Sequence, residues 1–158
     1  MDKQITEVMI ERDEISTIVK RMGEEISEKY ADIEKDLIVV GLLRGSFIFM
    51  ADLVREIKVP LVVDFLTVSS YGTGTVSSGD VKIVMDLDMA IEDRDVLLVE
   101  DIVDTGQTLV KIVEFVQLLN PRSVKICSLI DKHERREVEL NVDYSCFSLE
   151  KGFIVGYG

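Results

Sequence analysis

Apolar positions along the chain fall into two periods. Between residues 13 and 30, Ile15, Ile18, Val19, Met22, Ile26 and Tyr30 recur at spacings of three and four with charges between them, which predicts an amphipathic helix packed on a sheet. Residues 37–43 are a continuous apolar run of strand length that stops at Arg44-Gly45-Ser46. Helical spacing returns over 47–57, with Phe47, Met50, Ala51, Val54 and Ile57 expected on one side. Pro60 introduces a strand over 61–68, expected to pair with 81–87 across the glycine- and hydroxyl-rich stretch 69–80. Residues 96–99 have the β-branched composition of a buried parallel strand, expected to end as the chain turns acidic at Glu100 and Asp101. Leu109, Ile112, Val113, Val116 and Leu119 then follow at helical spacing until Asn120-Pro121. A buried strand over 123–130 and two short strands over 141–149 and 153–155 complete the expected elements.

Strands alternating with helices predict an α/β fold with an open, mainly parallel twisted sheet flanked by helices. At 158 residues, with no internal repeat or linker, 1–158 is expected to be a single domain. Hydrophobic residues make up 47% of the chain, but no run is long enough to span a bilayer and the acidic N-terminus is unlike a signal peptide, so a soluble cytoplasmic protein without membrane contact is expected. Cys127 and Cys146 sit inside apolar segments without metal-ligand spacing and read as small buried hydrophobes. A net charge of −12 with 18 thinly spread basic residues argues against nucleic acid as a partner. A small anion can still be held by backbone dipoles, a few arginines and Mg²⁺. There is no Gly-x-Ser-x-Gly, Gly-x-Gly-x-x-Gly or His/Cys cluster to support acyl, hydride or metal-thiolate chemistry.

The chemistry concentrates where residues 96–99 hand over to the following helix. Asp104-Thr105-Gly106-Gln107-Thr108 places backbone N–H groups, two hydroxyls and a glycine at a helix N-terminus, where partial positive charge favours a phosphate. Glu100, Asp101 and Asp104 would repel a bare phosphate but suit Mg²⁺ or the hydroxyls of an attached sugar. A sugar phosphate satisfies both halves; a strand end with solvated acids and a helix cap is the plainer alternative. Arg44, with Gly45 behind it, could grip phosphate oxygens or be a surface arginine beside a structural glycine. A carboxylate among carboxylates, as Asp104 is in the sequence, should have its pKa raised.

Residues 100–108 resemble the phosphoribosyl diphosphate signature of the type I phosphoribosyltransferases, in the form carried by their bacterial hypoxanthine-guanine branch. The resemblance extends through Leu42-Leu43-Arg44-Gly45-Ser46, Ser69-Ser70-Tyr71-Gly72, Leu129-Ile130-Asp131-Lys132 and Phe153-Ile154-Val155-Gly156-Tyr157-Gly158. It implies transfer of 5-phosphoribosyl from phosphoribosyl diphosphate to hypoxanthine or guanine, on a fold with a small C-terminal hood. By the same resemblance Arg44 and Gly45 hold pyrophosphate, Glu100 and Asp101 hold the ribose hydroxyls and Mg²⁺, and Thr105, Gly106, Gln107 and Thr108 clamp the 5-phosphate. Asp104 is implied as the catalytic proton acceptor. Lys132 is implied to bond the 6-oxo group, Phe153 to stack on the purine, Ile154 to read its edge by backbone, and Ser70 and Tyr71 to work in a closing lid loop. His133, amid Glu134, Arg135 and Arg136, reads as part of a solvated loop without a role.

A homodimer or homotetramer is expected. Family members continue past Gly-Tyr-Gly with a tail that supplies an aspartate for a second Mg²⁺ and an arginine to pyrophosphate. Neither position lies in the 158 residues, and unless those groups come from elsewhere, nucleotide binding with poor turnover is the expectation. The alternative from another class is therefore a phosphoribosyltransferase-fold nucleotide-binding regulator with little or no turnover. Transfer to uracil or orotate also stays open, because base choice rests on Lys132 and Phe153 alone.

Overall fold

The structure, a computed structural model, describes residues 7–70 and 81–157. The elements run α1 (Arg12–Lys29), β1 (Leu37–Leu42), α2 (Phe47–Val54), β2 (Leu61–Ser70), β3 (Val81–Met85), β4 (Asp95–Val103), α3 (Gln107–Gln117), β5 (Ser123–Lys132) and β6 (Tyr144–Leu149). All six strands join one sheet in the order β3-β2-β1-β4-β5-β6. Strand β1 is parallel to β2 and β4, β4 to β5 and β5 to β6, while β3 lies antiparallel to β2 at one edge. The open, mainly parallel α/β sheet read from the sequence is the one that forms.

Alternation along the central strands divides the core in two, since successive side chains point to opposite faces. Leu37 and Val39 of β1, with Leu97 and Val99 of β4, pack under α1 and α2 against Val19, Met22, Ile26, Phe49, Met50 and Leu53. Ile38, Val40 and Leu42, with Val96 and Leu98, pack on the other face against Leu109, Ile112 and Val116 of α3. This double burial is why residues 37–42 and 96–99 are apolar without alternation in the sequence. Cys127 and Cys146 are unpaired thiols in or beside this core; burial pushes Cys127 well up, and burial with Glu25 pushes Cys146 up to about 12. Both are therefore protonated, unreactive hydrophobes.

Several expected boundaries differ. Strand β4 does not end at Glu100 but runs on to Val103, because β5 continues beside it, with Glu100 opposite Ser128, Ile102 opposite Ile130 and Val103 opposite Asp131. Helix α2 buries Phe49, Met50 and Leu53, whereas Phe47 is 57% exposed and Ala51 is also exposed. In an eight-residue helix that is almost wholly apolar, spacing does not single out the buried face. Ser69 and Ser70 belong to β2 rather than to a loop, with Ser70 opposite Val81, and Tyr71 and the rest of the expected lid lie outside the described residues. No strand forms over 153–155. Among the described residues no helix is long and apolar enough to cross a membrane.

Candidate active site

The strand order reverses between β1 and β4: β1 leads to α2 on one face and β4 to α3 on the other. In open parallel sheets the crevice at the carboxyl ends of such a pair is where ligands bind. Here the two strands deliver the Arg44–Gly45 turn and the Glu100–Asp104 segment to that one edge. The turn is held by Ser46, whose Oγ donates to the Leu42 carbonyl at 2.8 Å, and by the Leu43 N–H, which donates to Leu66 O at 3.0 Å. The Leu43–Arg44 peptide is cis. Arg44 is exposed beyond it. A Cβ on Gly45 would lie 2.7 Å from Oδ2 of Asp101, so the turn and the acidic strand end are in direct contact.

Glu100 and Asp101 act as a unit. The Asp101 N–H donates to Oε1 of Glu100 at 3.0 Å. Burial first, then a shared side-chain hydrogen bond and the like charge of Asp101, push the Glu100 carboxyl well above the usual range. A cation between the two would relieve that repulsion. Mg²⁺ characteristically takes one or two carboxylates plus substrate oxygens and water rather than an all-protein cage. The acid pair fits such a site, and no group of three or more metal-binding side chains is found among the described residues.

After Val103 the chain turns through Asp104 and Thr105 into Gly106, whose φ of +85° is left-handed. Helix α3 starts there with no side-chain cap, leaving its N-terminal N–H groups to an incoming anion. The nearest local partner is the Thr105 Oγ1, 3.4 Å from the Gln107 N–H. Residues 105–108 therefore present an uncapped helix start directly after the segment that carries the acid pair.

Lys132, the last residue of β5, is a buried cation whose Nζ lies 3.9 Å from Oδ1 of Asp104. Oδ1 is itself buried and has no hydrogen-bond partner among the described residues. Oδ2 lies 3.4 Å from Arg135 Nη1. The charged partners of Asp104 are therefore cations, and the like-charge crowding expected for it acts on Glu100 instead. Arg136, not singled out in the sequence, also closes on Asp104, donating from Nε to its backbone carbonyl at 3.0 Å. The only advance signal was its place in a charged run four residues after Lys132, a pattern that ordinarily marks a solvated face.

Phe153, 66% exposed, and Ile154 lie in the irregular C-terminal stretch, which the Tyr157 hydroxyl ties to Asp52 of α2. They line a cavity of about 940 Å³ with Leu129, Ile130 and Phe147. None of Arg44, Glu100, Asp104 or Lys132 lines that cavity, so the structure does not bring Phe153 and Ile154 together with them. His133 hydrogen-bonds through Nε2 with Ser148 Oγ at 3.0 Å, a contact that joins β5 to β6.

A family model described as the phosphoribosyl transferase domain matches residues 10–158. The hypoxanthine phosphoribosyltransferase of Salmonella typhimurium is 51% identical over 156 residues, covering 99% of this chain and 88% of that protein. The crystal structure of a hypoxanthine phosphoribosyltransferase from Staphylococcus aureus matches with a TM-score of 0.92 at 40% identity, over 98% of this chain and 83% of that one. A variant of the Trypanosoma cruzi hypoxanthine phosphoribosyltransferase, complexed with the product IMP, matches with a TM-score of 0.90 at 35% identity, over 100% and 84%. With the sheet order, the crevice and the sequence all in agreement, the chain belongs to the type I phosphoribosyltransferases, in their bacterial hypoxanthine-guanine branch.

Proposed function

We propose that this chain is a purine-salvage transferase that moves 5-phosphoribosyl from phosphoribosyl diphosphate to hypoxanthine or guanine, giving IMP or GMP and pyrophosphate, with residues 1–158 acting as one domain. The observation that carries the reading is the buried Lys132 ammonium 3.9 Å from Asp104 Oδ1, beside the uncapped N-terminus of α3. A fixed cation rewards an oxo group at the purine six-position and gives nothing to an amine there. The carboxylate oxygen next to it has no hydrogen-bond partner among the described residues and is placed to take a proton from the base.

In this reading the bond from the anomeric carbon to pyrophosphate breaks ahead of the bond to the purine nitrogen. Arg44 and the Gly45 backbone receive the departing pyrophosphate. Thr105, Gly106, Gln107 and Thr108 clamp the 5-phosphate, so that binding away from the reacting carbon orients it. Glu100 and Asp101 take the ribose hydroxyls and would hold Mg²⁺, which when bound offsets the charge developing on the pyrophosphate. Asp104 accepts the proton at ring nitrogen seven as nitrogen nine bonds to the sugar. Phe153 takes the base by ring stacking and the Ile154 backbone reads its edge once the C-terminal stretch has moved from its own cavity toward Lys132.

Homodimers or homotetramers and a cytoplasmic location belong to the same reading. A regulator with little turnover is not favoured, since the similar proteins carry the names of enzymes. A spectrophotometric assay with hypoxanthine, phosphoribosyl diphosphate and Mg²⁺ decides: IMP formation supports the enzyme, and tight nucleotide binding without product sinks it.

A further inference from the structure

Arg136 follows β5 in a stretch whose charges suggest solvent, yet its side chain is only 16% exposed. Its guanidinium meets three acceptors: Nε donates to the Asp104 carbonyl at 3.0 Å, and Nη2 donates to the Lys132 carbonyl at 3.1 Å and to the Asp131 carboxylate. Its aliphatic stem backs Gly106, where a Cβ would come within 3.3 Å of Arg136 Cδ. The next residue extends the contact, the Glu137 N–H donating to Thr105 O at 3.0 Å and the Glu137 carboxylate accepting from the Gln107 amide. Residues 136 and 137 thus touch the phosphate loop on one side and the end of β5 on the other.

We propose that Arg136 is a positioning residue that fixes Asp104 relative to Lys132, so that the proton acceptor and the cation facing the oxo group meet the same purine. The inference rests on the roles read above for those two residues. Asp104 follows β4 while Lys132 ends β5, and their own separation of 3.9 Å is too long for a hydrogen bond to fix it. A planar guanidinium with N–H donors in fixed directions can hold two backbone carbonyls and a carboxylate at once. A lysine ammonium, a single point on a flexible stem, cannot.

In the full chain, R136K and R136Q should lower kcat by about 10–100-fold, with KM for phosphoribosyl diphosphate changed by less than about threefold, since misplacement by about 1 Å is enough for such a loss. A merely structural arginine would lower the melting temperature and leave kcat alone below it. D104N should be slow as well, and R136K added to D104N should slow it by less than about threefold further, because the group being positioned is already gone. R136K at the wild-type kcat beside a slow D104N overturns this inference alone. D104N at the wild-type kcat overturns the reading of Asp104, and this inference with it. Full losses that multiply in the double variant also overturn it. If R136Q fails to fold, R136K and D131N, which loosens only the carboxylate contact, give the same decision.

Discussion

Gly45 and Asp101 meet with no room for a side chain between them: a Cβ on the glycine would lie 2.7 Å from one carboxylate oxygen of Asp101 and 3.0 Å from the other. The turn after β1 and the acidic end of β4 are thereby built as one surface, although residues more than fifty apart supply it. Asp101 is short and only half-buried, so an added methyl should push the carboxylate aside rather than unfold the sheet. Gly45→Ala is expected to melt within a few degrees of the wild type while binding phosphoribosyl diphosphate about tenfold more weakly, as for other disturbed ligand-positioning shells. Calorimetric titration alongside thermal denaturation measures both; unchanged affinity would mean that the contact has no bearing on the ligand.

Gly106 differs because two constraints coincide there. Its φ of +85° disfavours any L side chain, and a Cβ would also meet Val138 Cγ2 at 2.9 Å. Gly152, at φ +123°, has nothing within 4 Å of its Cβ position and serves as a control for conformational strain alone. Gly106→Ala should destabilise by about 1–3 kcal/mol from the backbone alone. At about 2–4 °C per kcal/mol for a chain this size, it should melt several degrees lower and below Gly152→Ala. If the two variants melt together, the packing of Val138 on the Gly106 turn contributes nothing.

Glu100 carries a stability cost that its proposed role at the sugar would explain. Its folded pKa is raised by burial and by Asp101, so the folded state binds more protons than the unfolded chain. That relative stability is fully present below the unfolded value of about 4.3 and is lost as pH rises through the raised folded value. Glu100→Gln removes the titration. At pH 7.5 it should melt above the wild type, by about 2–4 °C for each kcal/mol relieved, and the advantage should disappear toward pH 4. Binding of phosphoribosyl diphosphate with Mg²⁺ should weaken at the same time. A melting difference that stays constant from pH 4 to 7.5 would contradict the cause given for the shift.

How far the sequence carried these assignments depended on where each side chain's partners come from. Strands β1 and β4 were legible because burial on both faces leaves no polar positions, and α1 and α3 because one buried face leaves a period of three and four. The extension of β4 through Glu100 and Asp101 was hidden, since acids usually end a strand and only pairing with Ser128 to Asp131 on β5 carries it on. Arg136 was hidden for a related reason: its acceptor on Asp104 lies far away in the chain and arrives only when the sheet assembles. The loop proposed to seat phosphate stood out in the sequence because its glycine, hydroxyls and acids are contiguous.

Asp104 supplies the most direct test of the chemistry. Oδ1 is buried without a hydrogen-bond partner among the described residues, with the Lys132 ammonium 3.9 Å from it and Arg135 Nη1 3.4 Å from Oδ2. An unpartnered buried polar atom costs about 1–3 kcal/mol, a penalty that a purely structural carboxylate would have no reason to carry. Asp104→Asn keeps the shape and removes the ability to hold a proton, so the fold should melt close to the wild type. Phosphoribosyl diphosphate contacts the Thr105–Thr108 cradle and the acid pair in this reading, so its affinity should change by less than about threefold, whereas kcat should fall by about 10²–10⁴, the usual range for general acid–base groups. Steady-state rates with hypoxanthine, set beside calorimetric binding of phosphoribosyl diphosphate, separate the two effects. An equal loss in both would make Asp104 a binding residue, and an unchanged kcat would move the proton transfer elsewhere.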